Sequence, residues 1–163
     1  VNTNILVEKC WFGKGPGVIT FGSECVGGRN VILRDSEVHG ATRVLQMKMR
    51  PDTPQRYEYV LVENVTGEVR WAFYVHPWTQ FFDLKGRKDI PMSYGEHVTI
   101  RNCRLTCTEQ AIEVAEKPDQ YLLTDIVIED NNVFTELHQV PQRAQKKQDW
   151  ELEKGTPEAE KNK

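Results

Sequence analysis

The chain has 163 residues, 39% apolar and 28% charged, enough apolar material for one folded domain and too much for global disorder. A net charge of −3 makes the chain a poor candidate for general nucleic-acid binding, which requires clustered positive charge. No apolar run approaches the ~20 residues that cross a bilayer, so neither nucleic acid nor a membrane is an expected partner.

The first element along the chain is a segment that recurs, and internal repeats decide a fold before anything else does. Asn4-Ile5-Leu6-Val7-Glu8-Lys9-Cys10 returns as Asn30-Val31-Ile32-Leu33-Arg34-Asp35-Ser36 and as Tyr59-Val60-Leu61-Val62-Glu63-Asn64-Val65. It returns again as His97-Val98-Thr99-Ile100-Arg101-Asn102-Cys103 and as Asp125-Ile126-Val127-Ile128-Glu129-Asp130-Asn131. Each copy has a polar starter, three mostly aliphatic strand formers, two polar residues and a small one. The intervals between starters are 26, 29, 38 and 28 residues. A second apolar stretch lies near the middle of each interval: Val18-Ile19-Thr20-Phe21, Val44-Leu45-Gln46-Met47, Ala72-Phe73-Tyr74-Val75 and Ala111-Ile112-Glu113-Val114. The runs are short and rich in Val and Ile, which argues strand rather than helix. Two strands at fixed offsets in a nearly constant period predict an all-β right-handed single-stranded parallel β-helix of about five coils.

The expected division is residues 1–136 as coils and residues 137–163 as a tail. The third interval is about ten residues too long, and the excess falls on residues 77–91, which carry several aromatics. That segment is expected to leave the solenoid as a long loop, a common place for function. If the first and third residues of each triplet point inward, Leu6, Ile32, Leu61, Thr99 and Val127 form an outward row. Four of these five are apolar, so something is expected to cover them: the aromatic loop, the tail, or protein outside this chain. The tail mixes six Lys or Arg with five Asp or Glu from residue 143 onward and reads as a solvated, frayed helix or as disordered. Trp150 and Leu152 are its candidates for capping the last coil's open edge.

Four cysteines and four histidines show no zinc-ligand spacing, and buried free thiols are the simplest reading. Cys10 and Cys103 hold the same repeat position three coils apart, about 14 Å, too far for a disulfide. Glycines at 13, 15, 17, 22, 27 and 28 would let the chain turn tightly and a ligand come close. The repeat puts Gly15-Pro16-Gly17, Ser23-Glu24 and Gln46-Met47-Lys48 on adjacent rungs. Lys48 and Arg50, alternating outward, would form a cationic ledge for an anionic substrate such as a uronic-acid sugar. A solvated strand face explains the same residues.

From Cys10 through Glu24 the sequence reads C-W-F-G-K-G-P-G-V-I-T-F-G-S-E, continues as Gly27-Gly28-Arg29-Asn30-Val31, and is followed by Leu45-Gln46-Met47-Lys48. These blocks resemble the G-H-G, G-S-E and R-I-K blocks of glycoside hydrolase family 28, the polygalacturonases and rhamnogalacturonases. The spacing is most similar to the exo-acting bacterial type, and the resemblance runs from Asn4 to Phe134. It implies a pectin-lyase-like solenoid and inverting hydrolysis of α-linked galacturonan or a related pectic glycan. In that reaction one carboxylic acid protonates the leaving oxygen while others activate water across a gap. It also implies no cofactor or metal, a secreted or periplasmic site of action, and a pectic polysaccharide or oligosaccharide as partner.

The departures from the family pattern are specific. Neither the N-T-D nor the D-D block that carries the family's catalytic Asp residues occurs in the chain. Pro16 stands at the histidine of G-H-G and Gln46 at the arginine of R-I-K, while Lys48 keeps the family residue. The candidate substrate-binding residues are therefore Lys48, Gln46, Pro16 and Arg50, with no catalytic residue and no metal ligand. The chain begins at Val1 only fourteen residues before G-P-G, and the expectation is a C-terminal portion, inactive alone, that stacks on N-terminal coils of the same protein. A non-catalytic carbohydrate-binding or adhesin-like solenoid remains the alternative. A polysaccharide lyase would need an acidic calcium cluster, which the repeat does not place on any one rung.

Overall fold

The computed structural model describes residues 1–22, 24–80 and 82–135. The expected tail, with Trp150 and Leu152, lies outside the described residues. The described residues are all-β, with ten strands in one sheet and every strand pair parallel. The strands are β1 (Asn2–Glu8), β2 (Trp11–Phe12), β3 (Ile19–Phe21), β4 (Gly27–Met49) and β5 (Arg56–Pro77). They continue as β6 (Ser93–Arg101), β7 (Arg104–Cys107), β8 (Ile112–Val114), β9 (Tyr121–Glu129) and β10 (Asn132–Thr135). The order β1-β4-β5-β6-β9 stacks the five repeat copies on one another. This is a parallel β-helix, its five stacked repeat copies joined by about four turns.

The repeat register is the pairing register. Ile5, Val31, Val60, Val98 and Ile126 stand in one column, and Val7, Leu33, Val62, Ile100 and Ile128 in another. In the middle coils both columns are buried, while Ile32, Leu61 and Thr99 between them are half-buried and face outward. Ile5, on the first rung, is 39% exposed where Val31 and Val60 are 2% exposed. Beside these columns runs another of alternating sign: Glu8, Arg34, Glu63, Arg101 and Glu129. Arg34 meets Glu8 at 2.7 Å and Arg101 meets Glu63 at 2.8 Å. Each exposed pair contributes little stability. A one-residue slip would instead break these charge pairs and turn the apolar columns outward.

The polar starter of each copy has a conformational role. Asn4, Asn30, Tyr59, His97 and Asp125 all have φ between 54° and 57°. Five residues on, Lys9, Asp35, Asn64, Asn102 and Asp130 have φ between 49° and 54°. A single left-handed residue bends a strand sharply, so each coil turns two corners at these positions; Asn and Asp tolerate that conformation best. Stacked amides then bond between coils, Asn30 Nδ2 donating to Asn4 Oδ1 at 2.7 Å and Asn64 Nδ2 to Asp35 Oδ1 at 2.8 Å. Past the second corner runs a third strand segment that the apolar pattern did not announce. It comprises β2, residues 36–39 of β4, residues 65–69 of β5, β7 and β10.

Two glycines are demanded by close approach. Gly67 has φ +124°, and a Cβ there would sit 2.0 Å from the carbonyl oxygen of Val38 on the coil above. A Cβ on Gly28 would lie 2.3 Å from the ring of Phe21, which stacks on Tyr57 inside the core at 4.4 Å between centroids. The expectation that the early glycines open the backbone to a ligand is therefore corrected at Gly28. The space it leaves is filled by the protein's own aromatic ring. None of the six early glycines has a left-handed φ.

The loop after β5 leaves the sheet as expected and is tied to the turn that follows β4. Trp78 N–H donates to Met49 O at 2.7 Å, Asp83 N–H donates to the Asp52 carboxylate at 2.7 Å, and the Arg87 guanidinium donates to the Asp52 carbonyl. Under the loop the turns of successive coils interlock through buried polar side chains. Gln55 accepts from Arg50 N–H at 2.6 Å, Ser93 Oγ accepts from Gln55 N–H at 3.0 Å, and Gln120 donates to Met49 O at 2.9 Å.

All four cysteines are free thiols, and Cys10 and Cys103 share a column with Ser36, Val65 and Asn131. Burial raises the Cys103 thiol pKa and pushes that of Cys107 up to about 11.

Candidate functional site: a cationic and aromatic strand face

The last strand segment of each coil carries the densest chemistry. β3, residues 43–49 of β4, residues 71–77 of β5 and β8 stack in register, with Leu45, Met47, Phe73 and Val75 pointing into the core. By alternation the opposite face carries Thr20, Gln46, Tyr74 and Glu113 in one column and Lys48 beside His76 in the next. Trp78 follows directly where the loop begins.

These side chains stack on one another. The Arg43 guanidinium lies 4.2 Å from the Tyr74 ring centroid and 5.1 Å from that of Trp71. Arg70 packs on the same indole at 4.5 Å and holds Glu109 at 3.0 Å. Tyr74 stacks on His76 at 4.4 Å with 12° between planes. His76 Nε2 is 2.7 Å from Glu113 Oε1. Lys48 Nζ sits 3.8 Å from the centroid of Trp78. The surface is thus a half-buried strip of aromatic rings interleaved with cations, each contact of the kind that contributes about 0.5–2 kcal/mol. Arg43 Nε, Trp71 Nε1 and Trp78 Nε1 are buried N–H donors without an acceptor among the described residues, so the strip is rich in donors.

The structure separates the four residues expected to bind substrate. Lys48 lies on the strip, half-buried. Gln46 shares its face but is 2% exposed, covered by its neighbours, so its amide is not presented to solvent. Pro16 is exposed but sits at a different corner: its neighbour Gly15 bridges to Ala41, whereas Gln46 faces Thr20. Arg50 corrects the expected cationic ledge. Its side chain is 9% exposed and forms a bidentate pair with Asp52, Nε at 2.7 Å and Nη2 at 2.6 Å, with Glu24 at 3.7 Å. Alternation ends with β4 at Met49, and the chain turns Arg50 beneath the loop rather than outward.

The residues that build the strip, Arg43, Trp71, Tyr74, His76, Trp78 and Glu113, were not singled out by the sequence. The available signal was parity. Tyr74 and His76 hold the offsets from the start of their second apolar stretch, at Ala72, that Gln46 and Lys48 hold from Val44. Among the described residues, no group of three or more His, Cys, Asp or Glu is arranged to hold a metal ion. Compared with known proteins, the chain matches no family model, no curated protein and no solved structure.

Aromatic rings suit the C–H face of a pyranose, and Lys48 suits a carboxylate. Inverting hydrolysis needs two carboxyl groups about 6.5–9.5 Å apart, one held protonated. Glu113 and Glu109, the carboxylates at this face, are engaged by His76 and Arg70.

Proposed function

We propose that this chain is the glycan-gripping part of a pectin-degrading glycoside hydrolase of the polygalacturonase type, binding acidic pectic oligosaccharide along the strip. The observation that carries the reading is the strip itself, where Tyr74, His76, Trp78 and Lys48 are brought together from two adjacent coils and the loop. The resemblance of residues 10–24 and 45–48 to the family's blocks supports the same assignment. The acid and base carboxylates of the reaction belong to motifs this chain does not contain, so the chain alone binds without hydrolysing. The second reading, a non-catalytic carbohydrate-binding solenoid, draws on Glu109 and Glu113 being held by Arg70 and His76. Titration with galacturonic acid oligomers, alongside a reducing-end assay, tests both. Binding that Lys48→Ala and Trp78→Ala each weaken about tenfold, with no reducing ends released, is the expected result. Equal affinity for neutral galactose oligomers would refute the acidic-glycan reading.

A further inference from the structure

We propose a second ligand site at the corner that opens each coil, built from Asn4, Arg29, Asn30 and Tyr59 and suited to a sugar ring bearing a carboxylate. It rests on the reading above for the class of glycan, but it lies on a different strand segment and uses none of the strip's residues.

The corner column reads Asn4, Asn30, Tyr59, His97, Asp125, every residue left-handed. Asparagine suits that conformation, and an unbroken asparagine column would continue the amide bond that Asn30 makes to Asn4. An aromatic residue there is less favourable, and strain of this kind gathers at functional positions. Tyr59 and His97 break the ladder and instead stack at 4.6 Å with 14° between planes. His97 is steadied by Asp125, Nδ1 to Oδ2 at 2.5 Å. The pair presents a fixed ring, with Tyr59 47% exposed.

Beside that ring lies an open cavity of about 550 Å³ lined by Thr3, Asn4, Arg29, Asn30 and Tyr59. Arg29 lies 5.4 Å from the Tyr59 centroid and has no ion pair among the described residues. The carboxylate in register beside it, Glu58, is held by Arg56 at 3.0 Å. An aromatic face, an exposed guanidinium, two side-chain amides and a hydroxyl converge on one concavity. A uronate residue satisfies all of them. Its C–H face covers Tyr59, its carboxylate takes the planar fork of Arg29, and its hydroxyls reach the amides.

The test is calorimetric titration of the full chain with the galacturonic acid trimer. Tyr59→Asn removes the ring while placing at the corner a residue that suits its φ and extends the amide ladder; Arg29→Gln removes the charge. Circular dichroism confirms that both variants fold. Each is expected to weaken the corner site about tenfold, read in a Lys48→Ala/Trp78→Ala background that silences the strip. If that background already abolishes all binding, the corner site is overturned and the strip reading stands; if binding persists in that background and the two corner variants leave it unchanged, the corner site and the strip are both overturned. Binding lost only in the corner variants upholds the corner site and overturns the strip. A trimer that binds nowhere overturns both, and a neutral galactose trimer bound equally well at the corner overturns the role given to Arg29.

Discussion

Replacing Asp52 by alanine strips a buried guanidinium of its bidentate carboxylate. The Arg50 and Asp52 side chains are 9% and 4% exposed, and the carboxylate also accepts from Thr53 Oγ1 at 3.0 Å and from Asp83 N–H at 2.7 Å. Removing one partner of a buried pair costs about 3–5 kcal/mol because the remaining charge stays desolvated. Glu24 stands 3.7 Å from Arg50 but is 79% exposed, so screening limits what it restores to at most about 1 kcal/mol. The lost tether to the loop at Asp83 costs a further ~1 kcal/mol. The expected destabilisation is therefore about 3–5 kcal/mol, measured by urea unfolding followed by circular dichroism. Adding Arg50→Met removes the stranded charge, so the double variant should be more stable than the two single losses predict, with coupling of about 2 kcal/mol or more. A loss below about 1 kcal/mol for Asp52→Ala, or strict additivity in the cycle, refutes the claim that this pair anchors the loop.

The same pair sets a pH dependence. Hydrogen bonds from the Arg50 guanidinium, aided by the Asp83 amide and opposed by burial, hold the Asp52 carboxyl well below the usual carboxylate range. A depressed native pKa means its stabilisation is complete above the unfolded value of about 4 and is lost as pH falls below it. Urea midpoints should drop on acidification through that range, and Asp52→Asn should flatten that part of the slope. Gly67→Ala should cost about 2–4 kcal/mol, because a Cβ there meets the Val38 carbonyl and φ is +124°; an unchanged melting temperature would contradict that close approach. Buried Cys103 and Cys107, with raised thiol pKa values, should resist a thiol reagent at about pH 8 in the native state, whereas the half-buried Cys10 and Cys25 react. Four fast-reacting thiols in folded protein would place Cys103 and Cys107 outside the core.

The five copies of the polar–aliphatic segment determined the β-helix by themselves. Parallel coils bury a triplet only when the next coil repeats it in register, so a near-constant spacing of Val and Ile is already a statement about stacking. The inward columns and the long loop followed from the same spacing. The polar starter was legible as polar, but its left-handed turn was not. Asn, Tyr, His and Asp share no side-chain property that announces φ near +55°, and only the stacked corner shows why each coil needs one. The third strand segment, residues 36–39 in one coil and 65–69 in the next, escaped because it buries too few side chains to form an apolar run.

The candidate site was legible only at Lys48. Alternation along an isolated strand cannot say where the strand ends, so Arg50 read as one more outward cation. The tertiary structure turns it under the loop, where Asp52 neutralises it. Nor can one strand name its neighbours. Tyr74, His76 and Trp78 join Lys48 only because coils 28 residues apart in sequence lie in direct register, with the loop folding back to set Trp78 on the lysine. Local propensity and period, which depend on neighbours along the chain, were written in the sequence. Which side chains share a surface depends on pairing across the chain, and only the folded coil decided it.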